Sequence, residues 1–141
     1  MKKVLLDSDV ILDFFLDIQP HSEYSSYVLS QIELKKIEGY LTAVIISNVY
    51  YLLRKISTHD RVIKILNQLM TLVDMILIDK NTILKAMNSK FKDFEDAIQN
   101  YACESHGEID LILTRNTKDY RKSEISVLTP EQYYKMKYES K

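Results

Sequence analysis

The sequence predicts a three-layer α/β/α fold around a central, mostly parallel sheet, formed by a single domain over residues 1–141. Three observations carry this expectation. Short apolar runs of strand character alternate with stretches of helical periodicity along the chain, which is the pattern of a parallel sheet covered on both faces. At 141 residues and 46% hydrophobic, the chain can bury one proper core. Polar and acidic residues also collect just after the strand-like runs, where such folds place their ligands.

Taken in order, Val4-Leu5-Leu6 reads as a short buried strand. Residues 9–17 read as a short helix with Ser8 or Asp9 as its cap, ended by Pro20. Residues 21–38 form a long amphipathic helix, with Gly39 as its C-terminal stop. The run YLTAVIIS, residues 40–47, is a second strand that passes into a helix over about 46–56. Thr58 caps the next helix, THDRVIKILNQLMTL, and VDMILID is a third strand. A short helix over 80–88 precedes a stronger one, DFEDAIQNYACES. EIDLILTRN is a fourth strand and EISVLTP a fifth. The tail EQYYKMKYESK is a terminal helix with a frayed basic end. Repeats, low-complexity segments and linkers are not seen.

Composition narrows the chemistry. Two glycines, Gly39 and Gly107, are too few for a phosphate loop or a dinucleotide fingerprint. One cysteine, Cys103, cannot form an internal disulfide, and no Cys/His spacing suggests zinc. The N-terminus enters a strand-like run with no signal-peptide pattern, and no apolar run reaches membrane-spanning length. A cytoplasmic protein without membrane contact is expected. The net charge of −1 supplies no global basic field, so a nucleic-acid partner would be held by a local patch or by metal ions.

The acids fall in three clusters. Asp7 and Asp9 follow the first strand, where either alone is explained by helix capping but both together are not. In KDFEDAIQNY, helical phase puts Phe94, Ala97, Ile98 and Tyr101 on the core face. Asp93, Asp96 and Asn100 share an adjoining stripe, and Glu95 and Gln99 point elsewhere. Asp93 reads as a cap and Asp96 as functional. In ILTRNTKDY, Thr114, Asn116 and Asp119 follow the fourth strand. Carboxylates gathered at one sheet edge repel one another, and a hard divalent cation relieves the repulsion; oxygen-only ligands suit Mg²⁺ or Mn²⁺. Such ions are a standard route to phosphodiester hydrolysis.

The blocks LLDSDVILDFFL, FKDFEDAIQNYACE and ILTRNTKDY, in this order and spacing, resemble PIN-domain proteins, the fold of VapC-type toxin ribonucleases. The resemblance runs from about residue 3 to 130 and is most specific at DFEDAIQ and TRNTKDY. It implies a metal-dependent ribonuclease with four acidic positions. Asp7 matches the first, Asp96 the third and Asp119 the last, with Asn116 nearby. The second position, often Glu, is Asn48 in AVIISNVYYLLRK. The resemblance is nearest to a bacterial branch with TNxYY at this point. An amide still offers an oxygen, without charge.

On this reading Asp7, Asp96 and Asp119 hold Mg²⁺ or Mn²⁺, and Asn48 completes the catalytic set. Ser8, Asp93, Thr114 and Asn116 support it, and Arg115 and Lys118 contact the RNA backbone. Cleavage would leave a 5′-phosphate and a 3′-hydroxyl. The resemblance further implies an antitoxin protein as partner and a homodimer. Tyr24, Tyr27, Tyr50, Tyr51 and Tyr101 read as packing, while Tyr133, Tyr134 and Tyr138 could stack on bases or form a dimer surface. Two alternatives stand beside the nuclease. One is a PIN-like module that binds RNA or protein without cutting. The other is a haloacid-dehalogenase-type phosphatase, suggested by LLDSD, although Val10 stands where a glycine is wanted.

Overall fold

The computed structural model describes the backbone of residues 1–139 and side chains through residue 137. The chain runs β1 (Lys2–Leu6), α1 (Ser8–Phe15), α2 (His21–Glu33), β2 (Ile37–Leu41), α3 (Ala43–Arg54), α4 (His59–Met70), β3 (Val73–Met75), α5 (Lys80–Met87), α6 (Phe94–His106), β4 (Leu111–Leu113), a 3-10 turn (Thr117–Tyr120), β5 (Ser126–Leu128) and α7 (Pro130–Glu139). The expected frayed end at residues 140–141 and the side chain of Tyr138 lie outside the described residues.

The five strands form one parallel sheet in the order β3-β2-β1-β4-β5. Helices complete the three-layer α/β/α architecture that the sequence predicts. Val4, Leu5 and Leu6 are fully buried, as a central parallel strand requires. Helix α2 packs on α1 and α7, α3 packs on α1 and α4, and α5 packs on α6. A main core holds the sheet, and a smaller cluster of Ala86, Ala97 and Ile98 joins α5 to α6.

Several boundaries differ from expectation for identifiable reasons. The cap of α1 is Asp7, rather than Ser8 or Asp9. The helix over 21–38 stops at Glu33, and Lys35 takes the left-handed conformation at φ 59°. Lys36 N–H bonds Gln31 O and Lys35 N–H bonds Ile32 O, which is a Schellman closure with lysine in the position usually given to glycine. Gly39 therefore stops no helix. It lies inside β2, where a Cβ would stand 2.6 Å from Ile32 Cδ1 and 3.1 Å from Val73 Cγ1. The run after Leu41 is helix, not strand. Thr42 Oγ1 accepts from Ile45 N–H at 3.2 Å and starts α3, and Ile45, Val49 and Leu53 then recur at helical spacing on its buried side. Strands three to five are shorter than expected, at three residues each. Thr58 caps α4 as expected.

The connectivity creates one switch point. From β1 the chain moves outward to β2 and β3, then returns to the other side of β1 as β4. Leu6 pairs with Leu113 at the carboxyl ends of β1 and β4. Asp7 and Thr114 are the next residues, and Asp7 N–H still donates to Leu113 O at 3.0 Å. A crevice between oppositely directed crossovers is where open α/β sheets bind ligands.

Candidate active site at the sheet switch point

A cavity of about 490 Å³ opens at this switch point. Asp7, Ser8 and Asp9 line it from the start of α1, Asn48, Tyr51 and Lys55 from α3, Asp93, Glu95 and Asp96 from the start of α6, and Asn116 and Asp119 from the segment after β4. Residues far apart in sequence therefore line one concavity.

Hydrogen bonds fix much of the lining. Asp7 Oδ1 accepts from Ser8 N–H at 2.8 Å and caps α1. Asp7 Oδ2 accepts from the hydroxyls of Thr114 at 3.0 Å and Tyr120 at 3.3 Å. Thr114 is fully buried, and its hydroxyl also reaches Asp9 Oδ2 at 3.2 Å. Arg115 N–H donates to that same Asp9 oxygen at 3.0 Å. Asp93 caps α6, accepting from Asp96 N–H at 2.9 Å, so the cap reading of Asp93 and its place in the cavity both hold. Asn48 Nδ2 donates to Glu95 Oε2 at 2.8 Å.

The electrostatics are those of crowded acids. Burial is the main cause of the upward push on Asp7; the charge of Asp93 adds to it, and the Ser8, Thr114 and Tyr120 donors oppose it. Burial, followed by the charge of Asp7, pushes Asp9 up to about 6. Burial, then Asp7 and Asp93, pushes Asp96 up to about 8, with a Tyr120 hydrogen bond opposing. Tyr120 itself is pushed up by burial and by the Asp7 and Asp96 charges. Its hydroxyl stays protonated and serves as a donor.

The donor set fits a hard divalent cation. Every charged group named so far at the cavity wall except Lys55 is a carboxylate, and Asp9 Oδ1 is a buried oxygen with no hydrogen-bond partner. Among the described residues, however, no three His, Cys, Asp or Glu side chains are grouped to hold an ion as they stand. The expected ready ligand set of Asp7, Asp96 and Asp119 is thus not assembled.

Some expectations shift. Glu95 faces the cavity although helical phase directs it elsewhere. The cavity lies beyond the N-terminus of α6, so first-turn residues on more than one face reach it. Asn100, which shares a stripe with Asp96, is instead buried and accepts from Ser123 Oγ at 2.5 Å. Tyr51, read as packing, is 66% exposed at the cavity rim. Lys118 is exposed. Arg115 commits Nε and Nη2 to the carboxylate of Asp13, at 2.7 and 3.0 Å. Asp13 and Tyr120 carry no sequence signal of their own; both are recognised only once distant segments are brought together.

A family model described as "PIN domain" matches residues 3–118. Ribonuclease VapC1 of Aquifex aeolicus (strain VF5) is 28% identical over 137 residues, covering 94% of this chain and 93% of that protein. Among solved structures, VapBC2 from Rickettsia felis bound to a promoter DNA fragment is similar with a TM-score of 0.67 at 10% identity, over 90% of this chain and 98% of that one. VapBC-1 from nontypeable Haemophilus influenzae is similar with a TM-score of 0.68 at 12% identity, over 92% and 98%. These structural likenesses, at 10–12% identity, show the same fold over most of the chain. With the family match running from β1 into the 3-10 turn that carries Asp119, the chain belongs to the PIN domain family.

Proposed function

We propose that this protein is a Mg²⁺- or Mn²⁺-dependent endoribonuclease and the toxin of a toxin–antitoxin pair. The observation that carries this reading is the convergence of Asp7, Asp9, Asp96 and Asp119 on one cavity at the switch point. The similarity to Ribonuclease VapC1 over nearly the full chain supports the reaction. The similarity to VapBC complexes supports an antitoxin as partner. A homodimer in the cytoplasm is part of the same reading; among the described residues no helix is long and apolar enough to cross a membrane.

Asp7, Asp96 and Asp119, with Asp9 beside them, would hold the cation. When bound, it would polarise the phosphate and lower the pKa of the attacking water. The chain's own groups do the rest. Tyr120 and Thr114 orient Asp7 through their hydroxyls. Asn48 orients Glu95, which brings a carboxylate to the part of the wall where residue 48 itself has only an amide. Asp96, protonated at neutral pH while the acids stand alone, gives up its proton as the charge is neutralised. Ser8, Asp93 and Asn116 complete the polar wall. Exposed Lys118, and Lys55 at the cavity wall, would meet backbone phosphates, and Tyr51 would offer a face to an unstacked base. A single-stranded or looped RNA suits this arrangement.

The test is incubation of the purified protein with a labelled single-stranded RNA in Mn²⁺ or EDTA. Cleavage with Mn²⁺ to 5′-phosphate products, absent in EDTA and in Asp96→Asn, is expected. RNA bound but never cut in Mn²⁺ would replace the nuclease with a binding module.

A further inference from the structure

Thr114 and Arg115, at the exit from β4, turn their donors onto a single face of α1. Thr114 Oγ1 reaches Asp7 and Asp9, Arg115 N–H reaches Asp9, and the Arg115 guanidinium forks onto Asp13. Asp9 and Asp13 are four residues apart on α1 and so share a side of the helix. Asp13 is fully buried, and its side-chain oxygens accept from Nε and Nη2 of Arg115. A buried carboxylate needs such a partner, and a planar fork satisfies both oxygens from one side chain. Just beyond Arg115, Asn116 N–H folds back on Thr114 Oγ1 at 3.1 Å. Asn116 and Asp119 then enter the cavity wall, and Tyr120 reaches Asp7.

From this geometry we infer that Arg115 is a positioning residue: through its fork on Asp13 it holds the 114–120 segment in register with α1, and so fixes where Asp9 and Asp119 meet the cavity and where Tyr120 meets Asp7. On this inference its role is to position the segment and not to bind phosphate. Two of its five guanidinium donors go to Asp13, which anchors the side chain on α1, and its backbone amide goes to Asp9. The inference rests on the nuclease reading for its consequence in catalysis, but the positioning itself is measurable without it.

The test compares wild type with Arg115→Ala, Arg115→Lys and the double variant Asp13→Ala/Arg115→Ala. Folding is checked by urea unfolding, and amide exchange is read by mass spectrometry or NMR below the transition. In Arg115→Ala the amides of Arg115, Asn116 and Asp119 should exchange faster by about tenfold or more, with those of β4 unchanged. In the RNA assay, kcat should fall by about a hundredfold, while the dependence of binding on salt keeps its slope. Lysine should rescue only part of either effect. The double variant, free of an unpaired buried charge, should regain stability relative to Arg115→Ala without regaining kcat.

Unchanged exchange over 115–119 would overturn the inference whether or not the protein cuts RNA. So would a rise in KM with kcat intact and a salt slope lower by about one, which is the signature of a lost phosphate contact. Recovery of kcat together with stability in the double variant would reduce the pair to a structural role and overturn it equally. Wild-type protein that never cleaves RNA would fail the nuclease reading alone, and amide exchange would still decide the positioning.

Discussion

Replacing Asp96 by asparagine should stabilise the metal-free protein while destroying its activity. Asp96 is pushed from the ordinary 3.8 up to about 8, first by burial and then by Asp7 and Asp93. Between those values the folded chain holds a proton that the unfolded chain has released. Stability therefore falls as pH rises through this window and levels off above about 8. For a fully buried group, four units would amount to about 5.5 kcal/mol. Asp96 is only partly buried, and solvent screening reduces the effect to roughly 2 kcal/mol. Asparagine keeps the size and carries no charge at any pH. In EDTA, Asp96→Asn should match wild type near pH 4 and exceed it by roughly 2 kcal/mol at pH 9, about 6 °C in Tm for a chain of this size. Thermal unfolding across pH with EDTA present measures the gap directly. A gap that is absent at pH 9, or the same size at pH 4, would refute the claim that burial and neighbouring carboxylates together penalise the charge on Asp96.

The same crowding governs ion binding. Because Asp96 near 8 and Asp9 near 6 must lose protons as an ion enters, Mn²⁺ affinity by calorimetry should rise about tenfold per pH unit between pH 6 and 8, and a flat profile would contradict this. Asp7→Asn should keep the α1 cap and lose less stability than Asp7→Ala, whose missing cap alone costs about 1 kcal/mol in urea unfolding, with cleavage lost in both. Gly39→Ala should lower stability by about 1–3 kcal/mol, since its Cβ would meet Ile32 and Val73 inside the sheet. Tyr51→Ala should raise KM for RNA about tenfold and Tyr51→Phe hardly at all, a pattern that requires an aromatic face and not a hydroxyl.

The parts of the fold that were legible are those decided locally. Val4-Leu5-Leu6, the Thr58 and Asp93 caps, and the alternation of strand and helix depend on short-range pattern, and the structure agrees with each. Gly39 shows where that reasoning fails. A glycine after a helical stretch reads as a stop, yet its smallness answers a contact between β2, α2 and β3 that no local window contains. AVIIS likewise suits strand or helix by composition. The cap by Thr42, whose own hydroxyl donates to Gln99 57 positions away, goes with the helix. At the site, the aspartates were visible because acids after strands are unusual. Their partners were not, because Thr114–Asp9, Arg115–Asp13 and Tyr120–Asp7 span more than a hundred residues each.

Capping and function are weighed against each other in the sequence, and the structure removes the need to choose. A carboxylate has two oxygens that can face different ways. Asp7 uses Oδ1 to cap α1 and leaves Oδ2 to Thr114 and Tyr120, and Asp93 caps α6 with Oδ1 while standing in the cavity wall. The arrangement follows from the fold. Helix N-termini at the carboxyl ends of parallel strands hold unpaired N–H groups and a positive dipole end, so an acid placed there is stabilised by the backbone before any ligand arrives. That local support lets several acids collect around one cavity despite their repulsion. The raised values of Asp7, Asp9 and Asp96 reflect burial first and the neighbouring carboxylate charges second. Two helix starts and one switch point are therefore sufficient to concentrate carboxylates here, and the remaining strain is what a divalent cation would relieve.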